Sequence, residues 1–187
     1  MKKYFYLFCA LLGLSMVAAC SVELDGDMSD PMEFYSDSPT SYRVKWLYSS
    51  YNSTSSYSDA EGIEEESTLS YDPKTGLYTI NPMPVNIFLA LGGKKGLPVV
   101  SAEPYVVNPY QKGYGSTNSI LGIAAQSYRF NFMEDQKIRT MQVDFRSNGE
   151  ISIDRYTNSV VLTLEVAGIS IDESYQDFSV DGALVLS

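Results

Sequence analysis

The chain contains no histidine among its 187 residues and only two cysteines, Cys9 and Cys20. The missing imidazole excludes Ser-His-Asp and Cys-His catalysis, and with them zinc, copper and non-haem iron sites built on histidine. No run of apolar residues is long enough to span a bilayer, which takes ~20 consecutive positions. Basic residues are also scarce, 13 against 23 acidic, for a formal charge of −10. That balance argues against a nucleic-acid partner, because phosphate binding needs a basic face.

The N-terminus carries the clearest signal in what is present. Met1-Lys2-Lys3 is basic, Tyr4 to about Val17 is apolar, and Val17-Ala18-Ala19-Cys20 ends the stretch. A basic start, a short apolar core and small residues before a cut are the parts of a secretory signal. Val17-Ala18-Ala19-Cys20 resembles the lipobox of bacterial lipoproteins, which implies removal of residues 1–19 and lipid attachment at Cys20. Two or three acyl chains hold a protein to a membrane far more firmly than one, at ~0.8 kcal/mol per buried CH₂. Cys9 lies in the discarded segment, so the mature chain keeps no pair for a disulfide and no free thiol nucleophile. Loss of Lys2 and Lys3 leaves 11 basic against 23 acidic residues, a net charge of −12.

Residues 20–40 read as an acidic flexible tether. Asp25, Asp27, Asp30-Pro31, Asp37 and Ser38-Pro39 all disfavour regular structure. The acidic stretch after Cys20 resembles the surface-export signal of Bacteroidetes-type lipoproteins, and implies an outer-membrane protein displayed at the cell surface. Asp25, Asp27 and Asp30 have a calcium-loop spacing but lack the further ligands and the distal glutamate. No metal and no cofactor is expected.

Residues 41–187 read as one all-β domain. Tyr42, Val44, Trp46 and Tyr48 alternate with polar residues, the period of a half-buried strand. Ser49 to Ser58 reads as a loop. Ile63–Tyr71 and Gly76–Ile80 flank Asp72-Pro73-Lys74-Thr75-Gly76, a turn with Pro to fix φ and Gly to allow φ > 0. Pro84 to Leu91 suits a short helix closed by Gly92-Gly93. Val99 to Asn108 reads as a strand interrupted at Pro104. Tyr128, Phe130 and Phe132 begin a clearer half, with a turn at Glu134-Asp135 and a hairpin expected at Asn148-Gly149. Another turn falls at Tyr156-Thr157-Asn158, followed by Val160, Leu162, Leu164 and Val166, and Phe178 to Leu186 ends the domain. About nine strands joined by short turns predict an antiparallel meander with one inserted helix, either a barrel or a two-sheet sandwich.

The segment Tyr78-Thr79-Ile80-Asn81-Pro82-Met83-Pro84, together with Tyr105-Val106-Val107-Asn108-Pro109-Tyr110, is similar to a family of short Bacteroidetes-type exported lipoproteins. The resemblance implies a calycin-like or lipocalin-like β domain and no established activity.

Carboxylates and tyrosines supply the remaining chemistry. Asp144 and Asp154 would face each other across a hairpin turned at Asn148-Gly149, at the spacing glycosidases use. The competing reading puts them on a solvated, salt-bridged sheet face beside Arg146 and Arg155. Glu64-Glu65-Glu66 read as surface, and Lys94 and Lys95 after the helix suit its C-terminal dipole better than a phosphate loop. Thirteen of the 15 tyrosines remain in the mature chain. Tyrosine joins a rigid ring to a hydroxyl, which suits sugar stacking and protein recognition. Tyr48, Tyr51 and Tyr57 form one cluster. Tyr105, Tyr110 and Tyr114, spaced by Pro109, Gly113 and Gly115, form the expected ligand-binding loop. The expected function is non-catalytic binding of a glycan, peptide, small hydrophobic ligand or envelope protein by a membrane-anchored module. A structural subunit of an envelope assembly and a carboxylate-pair hydrolase are the alternatives.

Overall fold

The computed structural model describes residues 41–50, 59–114, 118–154, 156–157, 159–175 and 182–186. The lipobox with Cys20, the tether, and Tyr51 and Tyr57 lie outside the described residues. Strand β1 (Ser41–Ser50) buries Tyr42, Val44 and Trp46 and turns Arg43 outward, as its period of two requires. β2 (Glu65–Asp72) and β3 (Leu77–Asn81) pair with Leu69 opposite Ile80 and Tyr71 opposite Tyr78. Their turn is the expected one. Asp72 accepts a hydrogen bond from the Lys74 amide at 2.9 Å and another from the Thr75 hydroxyl at 2.9 Å, and Gly76 takes φ 72°.

The helix α1 (Val85–Leu91) follows, and six of its seven residues are buried. Then come β4 (Val99–Ala102), β5 (Tyr105–Val107), β6 (Pro109–Tyr114), β7 (Asn118–Ile123) and β8 (Ser127–Glu134). The last five are β9 (Lys137–Phe145), β10 (Gly149–Asp154), β11 (Val160–Ile171), β12 (Ser174–Tyr175) and β13 (Gly182–Leu186). Every pairing is antiparallel.

The ladders run β4-β8-β9-β11-β13-β1-β2-β3-β5, and a second set, β6-β7-β10, joins through β11. β11 is long enough, at 12 residues, to serve both sets. Its first half pairs β10 and its second half pairs β9 along one edge, while β13 and β12 occupy the other. The end strands β4 and β5 do not pair with each other, so the described strands form no closed barrel and are consistent with a two-sheet sandwich. Thirteen strands replace the expected nine because long stretches of chain change neighbours along their length. The break at Glu103-Pro104, where Pro lacks a donor, divides β4 from β5 as expected.

One expectation is overturned. Asn148-Gly149 does not turn a hairpin: β9 and β10 lie end to end along the same edge of β11, with Phe145 opposite Val166 and Glu150 opposite Thr163. A two-residue I′ hairpin turn needs positive φ at both central residues, and neither Asn148 nor Gly149 has one. Gly149 is instead wedged into the ladder, where a Cβ would meet the Thr163 carbonyl at 3.1 Å and Ile123 at 3.2 Å. Positive φ at two consecutive residues occurs at Asp135-Gln136, between β8 and β9, and at Asp172-Glu173, between β11 and β12.

The inner faces and α1 enclose one aromatic cluster. Phe88 of α1 sets its ring 6.3 Å from Tyr128, 6.4 Å from Phe130 and 5.9 Å from Phe145. Tyr105 meets Tyr128 edge-on at 5.6 Å and Phe145 at 5.6 Å. These spacings are those at which aromatic quadrupoles attract.

Candidate functional site

The expected tyrosine loop is not a loop. Tyr105 is in β5, and Tyr110 and Tyr114 are in β6. Tyr105 faces the core and is 5% exposed, whereas Tyr110 faces outward and is 47% exposed, so the two do not share a face. The Tyr114 side chain lies outside the described residues. Tyr110 covers Gly122, its partner across β6-β7: a Cβ on that glycine would stand 2.4 Å from the ring. The hydroxyl of Tyr110 donates to the Ser147 carbonyl at 3.4 Å. This is the pattern by which an aromatic shields a strand glycine.

The Tyr105 hydroxyl is buried and has no hydrogen-bond partner among the described residues. Burial raises its pKa far above the ordinary tyrosine value. Tyr128 donates to the Glu103 carbonyl at 2.7 Å, and burial, assisted by the Glu103 charge, pushes its pKa up to about 12. A pKa raised on folding stabilises the fold fully below the unfolded value of ~10, and that contribution is lost as pH rises through the folded value. Tyrosinate absorbance in an alkaline titration should therefore show a late component from these two buried rings. Tyr105 and Tyr128 should ionise only with alkaline loosening, at about pH 12 and above. A single transition for all tyrosines near pH 10 would contradict the buried placement.

Asp144 and Asp154 do not converge either. They are ten positions apart on one extended line at ~3.3 Å per residue, far beyond the ~5–9.5 Å separation of glycosidase carboxylates. Asp154 accepts the Tyr156 and Thr157 amides at 2.8 and 3.1 Å, closing the β10–β11 turn, and these bonds lower its pKa. Asp144 belongs to a different arrangement, which sequence reading alone did not assemble.

That arrangement lies on the outer face of β8, β9 and β11. The register sets Ser127 beside Asp144, Arg129 beside Gln142, and Gln142 beside Ser170, which pairs in turn with Tyr175 of β12. A chain of hydrogen bonds fixes these groups. Arg129 Nε donates to Gln142 Oε1 at 2.6 Å, and Gln142 Nε2 donates to Asp144 Oδ1 at 2.8 Å. Asp144 also accepts from the Ser127 hydroxyl at 2.6 Å and from the Tyr175 hydroxyl at 3.1 Å. The Tyr175 hydroxyl consequently loses its proton less readily than usual, because a carboxylate accepts it. The Tyr175 ring, on a residue 71% exposed, lies alongside Gly168, where an added Cβ would sit 3.6 Å from it.

Arg129, Thr140, Gln142, Ser170, Asp172 and Glu173 line an open cleft of about 370 Å³ on this face. One wall is tightly fixed. Asp172 accepts the Thr140 amide at 2.9 Å and pairs with Arg139 Nε, which together hold its carboxyl below the usual carboxylate range. Arg139 also reaches Glu134 at 3.2 Å, and Glu134 pairs with Lys94 at 2.5 Å, so an ion-pair chain ties the wall to the segment after α1. The expected C-terminal role of Lys94 thus acquires a specific partner.

No cluster of metal-ligating residues occurs among the described residues. The cleft offers donors, acceptors and an adjoining exposed ring. The sequence signal for it was the run of planar polar residues at alternate positions, Arg129 and Asn131 on one strand and Thr140, Gln142 and Asp144 on the next. Its neighbour Tyr175 and its floor residue Ser170 had no such signal, since only the β11–β12 register brings them to it. Comparison with protein-family models, curated proteins and solved structures finds no match to this chain.

Proposed function

We propose that this chain is an exported lipoprotein, anchored through Cys20 at the outer membrane and displayed at the cell surface, that binds a glycan without altering it chemically. The lipobox and the acidic tether support the address. The outer-face cleft supports the binding. Its single strongest feature is the adjoining Tyr175, an exposed ring whose orientation is fixed by the bond to Asp144.

Sugars are recognised by stacking their C–H faces on an aromatic ring while planar polar side chains take the hydroxyls. Gln142 and Arg129, both pre-set by hydrogen bonds, give such side chains at little entropic cost on binding. A peptide strand would instead add to an open edge, such as that of β4 or β5 and away from this sheet face, and a hydrophobic ligand would need an apolar cavity. Every side chain that lines the cleft among the described residues carries a polar group.

The full-length lipoprotein in detergent micelles, screened against immobilised oligosaccharides, should retain a defined subset of them. Tyr175→Ala should weaken that retention at least tenfold with an unchanged circular dichroism spectrum. Failure to retain any oligosaccharide would sink the glycan reading and leave the structural envelope subunit as the better one.

A further inference from the structure

We infer that the glycan bound in the cleft carries a carboxylate, as a uronic-acid residue does, and that Arg129 reads it. This rests on the glycan reading and names the chemistry of its ligand.

The two arginines near the cleft are treated differently by their surroundings. Arg139 is closed off by carboxylates, with Nε on Asp172 and Nη1 on Glu134. Arg129 has no carboxylate in contact among the described residues. Its Nε bonds to an amide oxygen, that of Gln142, and the nearest link in the chain that carries charge, Asp144, is reached through that amide. The guanidinium is therefore held by one edge with its charge uncancelled. Its terminal Nη1 and Nη2 have no partner among the described residues, and they present the parallel N–H pair that fits a carboxylate bidentately. An amide at position 142 orients this fork without neutralising it, which a glutamate there would do.

Ser170 adds an independent observation. It forms part of the cleft floor, is 4% exposed, and its hydroxyl makes no hydrogen bond among the described residues. Facing the open cleft, that hydroxyl is available to a ligand oxygen. Glu173, in the lining on the β11–β12 turn rather than on β8, sits at φ 67°, a conformation unfavourable for glutamate, with no ion-pair partner among the described residues. Its free carboxylate accepts sugar hydroxyls and repels a second acid. The cleft is thus polar along its length, acid-accepting at Arg129 and hydroxyl-accepting at Glu173. That pattern selects one acidic sugar next to a neutral one over a chain acidic at every residue.

The test is calorimetric titration of the full-length protein in detergent with three disaccharides of one linkage. One ends in glucuronic acid, one in its methyl ester and one in glucose. The acid should bind at least tenfold more tightly than the ester or the neutral sugar. Arg129→Gln should reduce that preference to within twofold, weakening the acid at least tenfold and the neutral sugar by much less. Equal binding of acid and ester, with both weakened by Tyr175→Ala, would overturn this inference and leave glycan binding standing. A preference for acid that survives Arg129→Gln would overturn the assignment to Arg129. Binding of none of the three would count against both readings.

Discussion

Replacing Phe88 with alanine should lower the unfolding free energy by about 3–5 kcal/mol, the cost of emptying an aromatic site in a core that relaxes only partly. Phe88 is fully buried and touches three rings on two strands, Tyr128 and Phe130 of β8 and Phe145 of β9. Two losses combine. The ring's own burial disappears, and so does the contact that seats α1. Seven residues are too few for a helix to stand alone, since nucleation is unfavourable and helices under ~12 residues are marginal in water. α1 persists because Val85, Ile87, Phe88, Leu89, Ala90 and Leu91 are all buried. Against a total stability of ~5–15 kcal/mol for an ordinary domain, the loss is a large fraction. Urea unfolding followed by tryptophan fluorescence would measure it, because Trp46 is the chain's one tryptophan and is fully buried. Phe88→Leu, which keeps most of the volume, should cost less than ~1.5 kcal/mol. Ile138→Ala, at a site 62% exposed, should stay within ~0.5 kcal/mol of the parent. A Phe88→Ala variant as stable as Ile138→Ala would show that α1 does not fill the core.

The sequence made α1 legible because its signals are local: Pro84 before it, Gly92-Gly93 after it, and an apolar run between them. The same holds for β1, β8 and the first half of β11 as far as Val166, whose inward residues alternate without interruption, and for the Asp72–Gly76 turn. What was not legible depends on pairing between distant segments. Asn148-Gly149 has the composition of a hairpin turn, yet β11 offers a continuous edge of 12 residues to both β9 and β10. Following that edge satisfies the backbone of both strands; the Arg146 amide, for instance, donates to the Glu165 carbonyl at 2.8 Å. Asp172-Glu173, which does reverse the chain, has neither Asn nor Gly. Misplacing the first turn misassigned the carboxylates, since the supposed Asp144–Asp154 pair existed only in that hairpin. The cleft escaped notice for a related reason. Arg129, Gln142 and Ser170 are 13 and 28 positions apart and become neighbours only through the β8-β9-β11 register. The tyrosine excess was visible in composition, but strand parity sent Tyr105 inward and Tyr110 outward. The exposed ring beside the cleft is Tyr175, outside both sequence clusters.

Ser67→Ala should destabilise the domain by about 1–3 kcal/mol, although it removes one oxygen atom. Ser67 is 3% exposed on β2 and bridges the fully buried Trp46 indole to the carbonyl of Pro82. It accepts the indole N–H of Trp46 and donates its own proton to the Pro82 carbonyl. Deleting the hydroxyl orphans the buried Trp46 N–H and removes the tie to Pro82, and an unpaired buried group costs far more than a satisfied bond contributes. The bridge also places α1. Pro82 lies three residues before the helix, and on the same strand Glu65 accepts the Ile87 amide at 2.9 Å and the Asn86 side chain at 2.8 Å. β2 thus holds the start of α1 from both sides, which gives Glu65 a role that its place in an acidic triplet did not suggest. A double-mutant cycle separates the parts. Trp46→Phe removes the donor, so Ser67→Ala in that background should cost at least ~1 kcal/mol less than in the parent. Equal costs in the two backgrounds would mean that the Trp46–Ser67 bond contributes nothing to stability, and that Ser67 acts through Pro82 alone.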